Sequence, residues 1–164
     1  MLITSIGERA KRLQIAADMP ALRNRATLAQ VLTVFGAQTV REVSDPNVVA
    51  VFRLAIAEAA QAPEVARTLD SVGREASRAA LRHINSASRA EGLIAGRPAD
   101  LAKQFGGLLW RDLMINLLLL RVTERPSAGA IEARARDAAL AFLALHPARA
   151  KPRVRKKKVP SSPV

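Results

Sequence analysis

The sequence predicts an all-α protein of about six helices, and three observations carry that expectation. First, 49% of the 164 residues are hydrophobic, yet there are only four Phe, one Trp and no Tyr. A core built of Leu, Ile, Val and Ala favours helices. Second, the apolar residues recur at helical spacing, and no stretch alternates as a half-buried strand does. Third, proline and capping residues punctuate the chain at helix-length intervals. A chain of this length can bury one proper core.

Glu8 to Ala17 is expected to be helical, ending before Pro20. A second helix is expected over Leu22 to Val43, with Leu28, Val31, Leu32, Phe35, Thr39 and Val40 on one face. Ser44-Asp45-Pro46 supplies a cap followed by proline at a first helical position. The third helix, from Pro46 to about Gln61, is apolar nearly all round, interrupted only by Arg53 and Glu58. That pattern predicts a central buried helix, and charges there need partners. Pro63 opens the fourth helix, with Glu64 in the first turn, where the helix dipole favours an anion. It extends to about Ser88 with an inner stripe of Leu69, Val72, Ala76, Ala80, Ile84 and Ala87. Glu91-Gly92 and Gly96 break the pattern before Pro98 and Asp100 open a fifth helix, expected to run to about Arg121. Pro126-Ser127 opens the last helix, whose face is Ile131, Ala135, Ala138, Ala139, Phe142 and Leu145; His146-Pro147 ends it.

The net charge of +12 is unevenly placed. From Pro147 onward there are seven basic residues and no acidic one, so more than half the excess sits in a short tail. This tail lacks the apolar residues to build a core and is expected to be disordered. Its Lys151, Arg153, Arg155, Lys156, Lys157 and Lys158 are candidates for loose, salt-sensitive contact with nucleic-acid phosphates. Arg67, Arg74, Arg78, Arg82 and Arg89 return to one side of the fourth helix, but Asp70 before Arg74 and Glu75 before Arg78 mark a solvated face.

Without cysteine there are no disulfides, no thiolate catalysis and no cysteine-based zinc site, which fits a reducing cytoplasm. His83 and His146 are isolated, so no metal site is expected. Neither a nucleophile-elbow serine nor a phosphate-binding glycine loop is present. No cofactor and no catalysis are expected. Leu113 to Leu120 is the most apolar run and falls far short of the roughly 20 residues of a membrane helix.

The run Asp45 to Ala66 carries a resemblance. An apolar helix with Arg53, then Glu58-Ala59, then Pro63-Glu64-Val65-Ala66 at the next helix start, resembles the effector domain of TetR-family repressors, in particular the AefR-like proteobacterial subgroup. The resemblance spans about Leu22 to His146. It implies a ligand-binding and dimerisation bundle over residues 22–146, preceded by a connecting-helix remnant in 1–21 and followed by the tail, 147–164. By that resemblance the last two helices pair with those of a second copy. Phe105, Leu109, Leu113, Leu117, Ile131, Ala135, Ala139 and Phe142 are the candidates for that interface, and a homodimer is the expected state. Phe35, Phe52, Arg53, Ile56, Glu58 and Leu69 are candidates for a pocket taking a hydrophobic or amphipathic effector. A structural role for Arg53 and Glu58 is the stronger reading of those two. Gly106-Gly107 in mid-helix calls for an offsetting cause, and close helix crossing is the commoner one.

TetR-type regulators read DNA with an N-terminal helix-turn-helix. Roughly 20 residues precede the first effector helix here, too few for that module. A misassigned start, a truncated gene and a stand-alone effector unit are all compatible with this. Specific operator binding is therefore not expected of this chain alone, although the retained dimer helices would allow a mixed dimer with a full-length regulator. The alternative function is a small helical protein that holds nucleic acid non-specifically through its tail.

Overall fold

The computed structural model describes residues 20–61, 63–119 and 125–148, with the side chains of 65, 66, 68–74 and 76 set aside. The expected helix at Glu8 to Ala17 and the basic tail lie outside these residues. Among the described residues there are six helices and no strand: α1 Arg25–Val43, α2 Pro46–Glu58, α3 Pro63–Ala90, α4 Pro98–Trp110, α5 Leu113–Leu118 and α6 Ala128–Leu145.

Local chemistry sets most of the boundaries. Asn24 caps α1, its side-chain oxygen accepting from the Thr27 amide at 2.8 Å. Asp45 caps α2 through the Asn47 amide at 2.9 Å, with Pro46 at the first helical position. Ser127 caps α6 through the Ala130 amide. At the end of α3, the Gly92 amide bonds Arg89 O and the Leu93 amide bonds Ser88 O. That is a Schellman closure, and Gly92 takes the φ of +70° it requires.

The centre of the bundle is α1, not the helix the sequence marks as most apolar. Leu28, Val31, Leu32, Phe35, Gly36, Ala37, Thr39 and Val40 are all buried along α1. It packs chiefly on α6. Gly36 allows the approach: a Cβ there would lie 3.2 Å from Ala135 Cβ and 3.2 Å from Leu109 Cδ1. Around this crossing Phe105 packs on Phe35 (centroids 6.4 Å apart) and edge-on against Phe142 (5.6 Å). Such aromatic pairs add about 0.5–1.5 kcal/mol beyond their buried area.

Several expectations are corrected, beginning with Leu145, expected on the packed face of α6 and in fact exposed, with Leu143 buried instead. Helix α2 buries only Val49 and Ala55 and leaves Leu54 and Ile56 60% exposed, so it is peripheral. Its pattern fixes the lack of a polar face but not what covers the apolar one. The fifth helix does not run on to Arg121. It breaks after Trp110, where Arg111 adopts φ 35°, and resumes as the short α5. Finally, the inner face of α3 in its C-terminal half is rotated from the expected one. Leu81, Ile84, Asn85 and Ser88 are buried, whereas Ala80 and Ala87 are half-buried.

Candidate functional site

Four arginines tie the helices together through carbonyls that the helix ends leave without partners. Arg25 at the start of α1 donates to Leu93 O (2.6 Å), His146 O (2.8 Å) and Leu143 O, joining the α3–α4 corner to the end of α6. Arg53 on α2 donates to Leu117 O of α5 at 2.5 Å. Arg125 donates to Arg41 O in the last turn of α1 at 2.8 Å. Arg134 on α6 reaches Leu109 O and Trp110 O at the end of α4 and pairs with Asp112 Oδ1 at 3.1 Å. A guanidinium at a helix C-terminus also meets the negative end of the dipole.

The break between α4 and α5 is built by this tertiary contact. Arg134 occupies the carbonyls that a continuing helix would use, and Asp112 is held between Arg134 and the Asn116 amide (3.0 Å). The hydrogen bond from Arg134, then that from its own backbone amide, keeps the Asp112 carboxyl below the ordinary carboxylate range. The short α5 is thus fastened to α2 by Arg53 and, through the break, to α6 by Arg134.

The pocket candidates do not gather round one point. Phe35 lies in the core against Phe105, whereas Phe52 and Arg53 are half-buried on α2. Ile56 and Glu58 are exposed, and the Leu69 side chain lies outside the described residues. Arg53 bonds Leu117 O, where the structural reading expects a salt bridge: its partner is a carbonyl and not a carboxylate. Solvation of the α3 arginines agrees with expectation at Arg67, Arg78 and Arg89, but Glu75 pairs directly with Arg82, two turns on, with Arg78 a weaker electrostatic neighbour.

The interface candidates are also relocated. Phe105, Leu109, Leu113, Leu117, Ile131, Ala135, Ala139 and Phe142 are all buried within a single chain. Much of the surface that called for a second copy is covered by α1, because Gly36 lets α1 close on it. The outward faces of the same helices differ. On α6, Ala133, Leu140, Ala141 and Ala144 are exposed, Leu140 at 55%. On α4, a Cβ at Gly107 would meet nothing within 4 Å, so the expected close crossing at Gly106-Gly107 is not made within the chain.

Sequence reasoning missed Arg25, Arg125, Arg134 and Asn85. Asn85 on α3 has no exposed surface, and neither its amide nitrogen nor its oxygen has a hydrogen-bond partner. Its only sequence signal is a polar residue between Ile84 and Ser88 on a stripe otherwise read as small and apolar. Among the described residues, no cluster of three or more His, Cys, Asp or Glu could hold a metal ion. No helix among them is long and apolar enough to cross a membrane.

This all-helical arrangement is the fold of the C-terminal part of TetR-type regulators. Two crystal structures of proteins described as TetR-family transcriptional regulators share it. One, from Mesorhizobium loti MAFF303099, superposes with a TM-score of 0.66 at 22% identity, over 89% of this chain and 68% of its own. The other, from Agrobacterium tumefaciens, gives a TM-score of 0.67 at 25% identity, over 89% of this chain and 72% of its own. The family model of the AefR-like transcriptional repressor C-terminal domain matches residues 30–146, and the chain belongs to that family. No curated protein matches it in sequence.

Proposed function

We propose that this chain senses a small hydrophobic or amphipathic effector and pairs with a second copy, as the regulatory half of a TetR-like repressor. The observation that carries the pairing is the outward face of α4 and α6. Leu140 stands exposed among Ala133, Ala141 and Ala144, and Gly107 is open to solvent on the neighbouring helix. Small residues allow close helix approach, and a helical glycine carries a propensity cost against alanine that a close contact offsets. A helix of the second copy supplies that offset.

The sensing half of the reading rests on how the helices are fastened. Arg53 joins α2 to α5, and Arg134 joins the α4–α5 break to α6. An effector that prefers one placement of α2 or α3 therefore biases α5, and through it the paired helices. Operator reading in such regulators belongs to a helix-turn-helix, and none of the six helices is assigned that role.

Multi-angle light scattering tests the pairing. The wild-type chain should have twice its 17.6 kDa mass at micromolar concentration, and Leu140→Arg should have the monomer mass with an unchanged helical circular-dichroism spectrum. A wild-type monomer refutes it.

A further inference from the structure

Native proteins pair the great majority of buried polar side-chain atoms, and each exception has a cause. Among the described residues, Ser44 Oγ, Arg53 Nε, His146 Nε2 and both polar atoms of Asn85 are buried without partners. Three of these have simple settings. Ser44 is a single hydroxyl at the α1–α2 corner, Arg53 is bonded through Nη2, and His146 packs its ring on Phe142. Asn85 differs, because its donor and its acceptor are both idle and the residue is wholly buried. It shares its stripe with Leu81, Ile84 and Ser88, on a helix that packs most extensively on α4. Ser88, also wholly buried, gives its hydroxyl hydrogen to Ile84 O at 2.7 Å and keeps acceptor capacity.

Leucine at position 85 would keep the branched shape with no polar group to desolvate. A carboxamide retained there is an energetic burden on the empty fold. We propose that Asn85 is the polar anchor of the effector site, taking a neutral ligand that bears a lactam or primary amide on an apolar body. This rests on the sensing role proposed above and names its chemistry. A carboxamide offers one N–H and one C=O side by side, and the edge that answers both is another amide with N–H and C=O on the same side. Among the described residues, no charged side chain is buried on this stripe, which disfavours an ionised ligand. Because Asn85 has no exposed surface, the ligand enters only when α3 and its neighbours part, so occupancy is tied to helix position.

The test uses the full chain, with ε-caprolactam and benzamide as probes and N-methylcaprolactam as the control that keeps the shape and the carbonyl but lacks the N–H. In 1H–15N spectra the Asn85 side-chain amide pair is assigned by its loss in Asn85→Leu. The expected result is a saturable shift of that pair with ε-caprolactam or benzamide, and at least tenfold weaker binding of N-methylcaprolactam. A scalar coupling across a hydrogen bond from that side-chain amide in the ligand-free chain overturns the proposal, because the amide is then paired in the empty fold. So does the absence of a saturable shift in the wild type, a comparison that needs no variant. Equal binding of both amides by wild type and Asn85→Leu also overturns it, yet leaves the broader sensing role standing.

Discussion

Gly36 lies in the middle of α1 and Gly107 in the last turn of α4, and alanine should act differently at each. In helix propensity alone, glycine to alanine gains up to about 1 kcal/mol, the full amount in a helix interior and less in a last turn. At Gly107 nothing lies within 4 Å of the new methyl, so Gly107→Ala should stabilise the folded chain by up to that amount. At Gly36 the methyl would lie 3.2 Å from Ala135 Cβ and from Leu109 Cδ1, and 3.5 Å from Phe105 Cζ. Leu109 can rotate away, but the Ala135 methyl is fixed to α6 and moves only with the helix. Overpacking of this kind costs about 1–3 kcal/mol. The propensity gain at Gly107 is no larger than that at Gly36, so the two variants should differ by about 0.5–3 kcal/mol, with Gly36→Ala the weaker. Urea unfolding measured in a Leu140→Arg background keeps self-association out of the comparison. Equal stability of the two variants would refute the claim that α1 meets α6 at Gly36. In the otherwise wild-type chain, Gly107→Ala should weaken dimerisation even as it strengthens the fold.

Phe105→Ala removes the ring between Phe35 and Phe142 and should cost about 3–5 kcal/mol by urea titration; a loss below about 1 kcal/mol would contradict its place at the centre of the core. Arg134→Met keeps the aliphatic stem but frees the carbonyls of Leu109 and Trp110, so hydrogen exchange should quicken across α5 and the adjoining end of α4 while α1 is unchanged. The Asp112 carboxyl is held below its ordinary range, first by the Arg134 hydrogen bond, so its contribution is present above the unfolded carboxylate pKa and is lost as pH falls through the folded value. Wild type should therefore exceed Asp112→Asn in stability at neutral pH and converge with it in acid. A difference that does not change with pH would show the pair to be unimportant.

The helix starts were legible because their causes are local. Asp45-Pro46, Pro63, Pro98 and Ser127 act within one turn of themselves. The break at Arg111 was not legible. Gly106-Gly107 lies in the turn before it, but no proline or glycine stands at the break itself, and it depends on Arg134, more than 20 residues away. Helical periodicity identified Phe105, Leu109, Ala135 and Phe142 as one apolar surface, but not whether α1 or another molecule covers it. Covering depends on how closely two helices approach, which Gly36 decides from a position that looks unremarkable in sequence. The α2 residues failed in the other direction, since an all-round apolar helix can lie at the edge of the described fold. Asn85 was passed over because a single polar residue in a helical stripe has no distinguishing pattern until its partners can be sought in three dimensions.

Cysteine cross-linking tests the central claim, pairing through the outward face of α6, most directly, because the chain contains no cysteine of its own. Ala141→Cys and Ala144→Cys each place a single thiol on the exposed side of α6, and Val34→Cys places one at an exposed position on α1. A disulfide needs Cα atoms within about 7 Å. Mild oxidation should yield a covalent dimer rapidly from Ala141→Cys or Ala144→Cys and not from Val34→Cys. Rapid cross-linking through Val34→Cys alone, or none from any of the three, would contradict it.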